Sequence, residues 1–434
     1  MMSKAIFGGT ILFLAATVAA DVPMPGVTMP SKVSEALEIM AESHPQNNLA
    51  RMVRARKERL AEARASVSSA SAVRVRLPLL LGAYSNAAPA HSRDDFHNQI
   101  FAANPTGTMI DYYREGSYGR FELAGDTYGW YTAPQTQGYY VGTNSGLNGG
   151  GARFTLDLLK LADAEIDFSR YDSDDDGYVD VVVIVHTGPG AETQAEGRRN
   201  NIWSHSWNLN AAYRNFPSLM RQGEYVTNDP RPGHPGQFIK VDDYIIQPEQ
   251  KSANDSRIID IGVFCHEFGH ALGLPDLYDT DYSSEGIGNW GLMSGGSYGG
   301  DGAHPGTPVH MCAWSKEQLG WIQPQAIEQT QSNVSVLNAE QHQQAFFKIL
   351  LKDSPTGEYF LLENRQKVGF DFYLPGKGLL IWHIDPAVAS RNSGVNTNEN
   401  RKGVDLEEAD GLNDLDFRRS RGDAGDPFPG SSNN

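Results

Sequence analysis

Cysteine is almost missing: Cys265 and Cys312 are the only two in 434 residues. So few exclude a disulfide-stapled scaffold and leave either one bridge or two buried thiols. Positive charge is also short, with 36 Lys and Arg against 53 Asp and Glu and a formal net charge of −17. A chain this acidic lacks the electrostatic footprint for a phosphate backbone, which argues against nucleic acid as a partner. Long apolar runs are lacking beyond a single stretch near the N-terminus, which argues against membrane-spanning helices elsewhere in the chain. There is no internal repeat and no long low-complexity segment. What remains is a soluble composition, 40% hydrophobic and 21% charged, in a chain long enough for two or three domains.

The one apolar stretch, residues 5–18, follows Lys4 and runs into small residues through Ala20. Val18 and Ala20 suit the positions before a signal-peptidase cut, so residues 1–20 read as a signal peptide and Asp21 as the mature N-terminus. The expected location is extracellular, with no membrane span once that segment is removed. Val33, Leu37 and Met40, then Leu49, Met52, Val53 and Leu60 after Pro45, repeat at helical spacing over residues 32–66. The second part is basic and gives way to small residues at 65–72. Residues 21–75 therefore read as a removable pro-segment with a cleavable linker; an exposed charged helix with a flexible tail has the same composition.

From Val73 the pattern changes to strand. Gly, Tyr and Trp crowd residues 107–140, suggesting short strands and tight turns. Residues 179–186 form a β-branched run suited to a buried strand, and 359–363 and 378–384 are further strands. The expected fold class is α+β. It comprises a catalytic domain at 76–325, with a mixed twisted sheet and an active-site helix, then a β-rich C-terminal region at 326–434.

The sharpest chemical signal is Cys265-His266-Glu267-Phe268-Gly269-His270-Ala271-Leu272-Gly273-Leu274-Pro275-Asp276. Histidines four apart project from one face of a helix and can share a metal ion. Ile258, Ile259, Ile261, Val263 and Phe264 supply the apolar body of that helix, and Gly273 ends it. The chain then turns back, so Asp276 can approach the same ion as a third ligand; a capping role for Asp276, with the third ligand elsewhere, also fits the pattern. Two imidazoles and one carboxylate leave a fourth position for water, as a catalytic zinc requires. Glu267 is then placed to activate the metal-bound water and pass its proton to the leaving amine.

The extended zinc signature, followed by Asn289-Trp290-Gly291-Leu292-Met293-Ser294-Gly295-Gly296-Ser297, resembles the immune inhibitor A family of secreted metallopeptidases. Pro105-Thr106-Gly107-Thr108-Met109, Glu363-Asn364-Arg365 and Leu379-Leu380-Ile381-Trp382-His383-Ile384-Asp385 fit the same family. The resemblance implies a metzincin-like fold, with Met293 as the methionine turn beneath the metal. Tyr298 is a loose substitute for the tyrosine that stabilises the oxyanion in many metzincins, because Gly295 stands two residues after Met293.

A second constellation has Asp172, Asp174, Asp176 and Asp180 at positions one, three, five and nine of a calcium loop. Gly177 stands at the sharp turn, and the Tyr178 carbonyl would serve position seven. Position twelve is Val183 rather than Glu, so this is an isolated structural calcium loop leading into a strand. A further acidic run, Asp405 to Asp426, fits no such spacing and reads as a solvated face.

Together these readings predict a secreted zinc metalloendopeptidase that acts on proteins or peptides and is stabilised by calcium. The alternatives are a catalytically silent, calcium-stabilised extracellular binding protein, or a zinc hydrolase restricted to small peptides. The general base at Glu267 argues against the first, since a structural zinc site needs none.

Overall fold

The computed structural model describes residues 22–25, 27, 29–43, 48–62, 72–194, 200–391 and 394–431. The expected signal peptide lies outside them. Two helices come first, α1 (Ser31–Ser43) and α2 (Asn48–Glu62). Both dock through the residues that carried the helical spacing. Val33, Leu37 and Met40 are buried under α1, and Leu49 and Val53 under α2.

The central sheet contains β1 (Val73–Ala83), β2 (Phe121–Thr132), β3 (Val182–Pro189) and β4 (His205–Asn208). A small hairpin, β5 (Tyr225–Pro230) with β6 (Phe238–Val241), precedes β7 (Asp243–Ser252) and β8 (Asp255–Ile258), which return to the sheet. Strand order is β2-β1-β3-β7-β4, with β8 also paired to β7. The β1–β2, β1–β3 and β3–β7 pairs are parallel, whereas β4 and β8 run antiparallel to β7. The sheet is therefore mixed, as expected.

Parallel neighbours need crossovers that cover both faces, and this explains the unbroken β-branched run. Val183 and Val185 face the core that contains the helix Ile261–Ala271, while Val182 and Ile184 face the opposite core. The run enters the sheet later than expected, at Val182, because Val179 instead pairs outside it, donating its N–H to the Lys240 carbonyl.

Residues 107–140 also differ from the reading of short strands. They hold the helix Met109–Gly116, the twelve-residue β2 and the helix Gln137–Val141. Glycine punctuation misled here. Gly125 lies inside β2 because Phe101 packs where its Cβ would be, so it marks close packing rather than a turn.

The C-terminal sheet has the order β13-β12-β11-β10-β9. Its strands are β9 (Gln325–Ala326), β10 (Phe346–Leu350), β11 (Tyr359–Arg365), β12 (Gly378–Ile384) and β13 (Val404–Leu406). Only the β9–β10 pair is parallel. Leu361, Leu380 and Trp382 of this sheet belong to the same buried cluster as Phe264, Phe268 and Met293. Hydrophobic packing thus runs without a break across the expected boundary at 325.

The acidic run is not a solvated face. Asp405 and Asp416 both pair with the buried Lys402. Glu408 accepts the backbone N–H groups of Asp414 and Leu415, and buried Asp426 accepts the Trp290 indole N–H at 2.8 Å. These carboxylates organise loops, and the Trp290 partner of Asp426 lies too far along the chain for local spacing to reveal it. Both cysteines are buried free thiols. Among the described residues no helix is long and apolar enough to cross a membrane.

Candidate metal centre

The helix Ile261–Ala271 carries the histidine pair and is buried along its whole length. It begins later than its apolar run suggested. Ile258 closes β8, and Asp260 stands at the N-cap position with extended backbone, φ −75° and ψ 169°. The C-terminal end matches expectation: Gly273 has φ +98°, a region that disfavours side chains, and it reverses the chain toward Asp276.

That reversal brings three side chains together. The Nε2 atoms of His266 and His270 are 3.0 Å apart, and each lies 3.3 Å from Asp276 Oδ1. Each imidazole is oriented by its other nitrogen. His266 Nδ1 lies 2.9 Å from the Leu292 carbonyl, and His270 Nδ1 lies 2.7 Å from that of Leu274. Since a carbonyl can only accept, these bonds assign the protons to Nδ1 and turn both Nε2 lone pairs toward Asp276. Burial holds His270 below the ordinary imidazole pKa, favouring the neutral form a ligand must have.

Two lone pairs and a carboxylate oxygen at such separations repel one another unless a cation lies among them. The donor set therefore fits a metal ion, and two nitrogens with one carboxylate oxygen suit zinc. Sequence reasoning missed the Leu274 and Leu292 carbonyls because main-chain acceptors leave no side-chain signal.

Glu267 is fully buried beside His266 on the same helix. Met293 is buried too, and a Cβ at Gly269 would overlap its Sδ, so the glycine is what lets that sulfur lie against the helix. The Met293 carbonyl accepts the Leu277 N–H at 2.8 Å. Residues 292 and 293 thereby anchor both His266 and the segment after Asp276. Asn396, from the C-terminal region, donates to the Leu277 carbonyl at 2.9 Å. Asp279 is buried but turned elsewhere, accepting from Asp281, Ser283 and Ser284. Tyr298 donates its hydroxyl to the Val22 carbonyl at 2.9 Å rather than facing an open cleft.

The family model for the catalytic domain of immune inhibitor A, peptidase M6, matches residues 91–322. The chain belongs to the immune inhibitor A family of peptidases. The pre-pro-metalloprotease PrtV of Vibrio cholerae serotype O1 is 32% identical over 266 residues, covering 54% of this chain and 26% of that protein. Immune inhibitor A of Bacillus thuringiensis subsp. alesti is 31% identical over 232 residues, covering 48% of this chain and 31% of that protein. The match thus spans less than a third of either curated relative.

In this immune inhibitor A family member the acidic loop after Tyr171 is a second cluster. Carboxylate oxygens of Asp172, Asp174 and Asp176 lie within 4.8 Å of one another. Asp172 accepts the N–H groups of Asp176 and Gly177, and Asp176 accepts that of Tyr178. Burial, reinforced by the neighbouring carboxylates, pushes the pKa values of Asp172 and Asp176 up. Asp180 is buried beside this group. Its Oδ1 accepts from the Ser173 N–H at 3.4 Å, while its Oδ2 is buried with no hydrogen-bond partner. Tyr178 turns its hydroxyl to Glu224, 2.8 Å away.

Proposed function

We propose that this chain is a secreted zinc endopeptidase, with His266, His270 and Asp276 as its zinc ligands and Glu267 as its general base. The observation that carries the reading is the convergence of two oriented Nε2 atoms and one carboxylate oxygen at 3.0–3.3 Å, beside a buried glutamate. Zinc in this site supplies Lewis-acid polarisation of a peptide carbonyl and lowers the pKa of water. Glu267 takes the proton of the attacking water and delivers it to the departing amine nitrogen. Leu292 and Leu274 hold the imidazoles in one tautomer, and Met293 supports the helix from below as the methionine turn. The tyrosine role remains with Tyr298 only if residues around Val22 leave, because that segment holds its hydroxyl.

Residues 1–20 serve as the signal peptide and 21–75 as the pro-segment, an organisation in keeping with the name pre-pro-metalloprotease of the relative PrtV. Residues 76–325 supply the catalytic domain and 326–434 the β-rich C-terminal region. Proteins or peptides are the substrates. Asp172, Asp174 and Asp176, with Asp180 and the Tyr178 carbonyl, form a structural calcium site. Support comes from the unpartnered, buried Oδ2 of Asp180, since an anion so placed calls for a cation.

Casein digestion by the mature chain, with and without a zinc chelator and beside Glu267→Ala, tests the peptidase reading. The expected outcome is internal cleavage that the chelator abolishes and the variant loses by about 10²-fold or more. No cleavage by a folded, zinc-loaded chain freed of residues 21–75 would overturn it.

A further inference from the structure

The second N-terminal helix touches both clusters at once. Leu49 of α2 is buried in the same hydrophobic core as Phe264 and Phe268 of the metal-site helix, and Ala50 lies 2.9 Å from where a Cβ on Gly273 would stand. Gly273 is the pivot of the turn between His270 and Asp276. The next residue of α2, Arg51, reaches Asp176 Oδ2 with its guanidinium at 3.5 Å and also bonds the Asn48 side chain. The Asn48 N–H donates to buried Asp243 at 2.7 Å. Arg51 is thus the cation that α2 brings to the carboxylates proposed to hold calcium.

A carboxylate cannot serve two cations at full strength. Calcium among Asp172, Asp174 and Asp176 draws on the charge that holds Arg51, and it repels the guanidinium as well. Linkage is reciprocal: whatever calcium does to the docking of α2, docked α2 does to calcium affinity. We propose that Arg51 of α2 and calcium compete for the Asp176 carboxylate, so that calcium loosens α2 from the turn that places Asp276. This rests on the calcium reading of the loop given above. It makes an extracellular ion the signal that weakens the hold of the N-terminal segment on the metal centre.

Calorimetric titration with calcium chloride tests it, on the full uncleaved chain carrying Glu267→Ala to prevent self-digestion. Arg51→Ala is expected to tighten calcium binding about fivefold, the low end for linked sites because Arg51 is half exposed. Arg51→Lys, which keeps the charge, should stay near the parent value, and Asp176→Asn should abolish binding. Amide hydrogen exchange of residues 48–58 should rise when calcium is added to the parent chain and stay unchanged in Asp176→Asn. If calcium binds and Asp176→Asn removes it, but Arg51→Ala leaves the affinity unchanged or weaker, the competition is overturned while the calcium loop stands. If no variant and no parent chain binds calcium, the loop reading falls and takes the competition with it.

Discussion

At the scale of single residues, the metal centre depends on charge placed where water is excluded. Asp276→Asn keeps the shape of the proposed zinc ligand and removes its charge, so zinc affinity should fall by at least about tenfold, read by metal competition with a chromogenic chelator. His266→Ala and His270→Ala should each leave the purified chain without stoichiometric zinc, measured by elemental analysis. A different carboxylate makes the case for pH. Burial raises the pKa of Asp426 from the ordinary carboxylate range to about 6. The folded state therefore keeps this proton longer than the unfolded chain does, and stability falls as pH rises through the window ending near 6. Asp426→Asn removes that loss while still accepting from Trp290. Its melting temperature should exceed that of the parent by a few degrees at pH 8 and match it near pH 4. A deficit at pH 8 would refute this assignment. The histidine pair and Glu267 were legible from spacing alone, because one helix carries them. Asp426 was not, because its partner Trp290 lies 136 residues away.

At the scale of elements, close packing of the metal-site helix on Met293 is the constraint to probe. Gly269→Ala usually stabilises a helix by about 1 kcal/mol, but here its methyl group overlaps Met293 Sδ. A net cost of about 1–3 kcal/mol is expected, and adding Met293→Ala should recover part of it, so the two substitutions are non-additive in thermal melts. Leu49→Ala should weaken α2 docking by about 2–4 kcal/mol, seen as faster hydrogen exchange confined to α2. Periodicity identified α1, α2, the metal-site helix and the strands β11 and β12. It failed at β2, where a glycine inside a strand serves packing, and at Ile258 and Ile259, which precede the helix and are parted from it only by Asp260. Apolar spacing reports burial rather than element type, and Ile259 is buried although it precedes the helix.

At the scale of the whole molecule, the C-terminal sheet and the metal-site helix share one core. Buried Arg365 on β11 pairs with Asp371 at 2.6 Å, and Asp371 accepts the His310 N–H at 2.8 Å. Asn396 reaches the segment after Asp276. A chain cut after residue 325 should therefore lose its cooperative melt and leave Phe268 and Met293 without their neighbours, as dye binding and calorimetry would show. An unchanged melt would mean that the catalytic region folds alone. This dependence was hidden in the sequence, where the C-terminal region reads only as further strands. The contacts of α2 carry one more consequence. Its Asn48 N–H waits for Asp243, 195 residues later, and Lys57 for Gln318, 261 residues later. At ribosomal rates of about 5–20 residues per second, those partners emerge on the order of ten to fifty seconds after α2 itself. A helix of its length is marginal alone in water. The order of manufacture and the order of assembly thus part company: a helix made among the first makes these contacts only after the segments around residues 243 and 318 have been made.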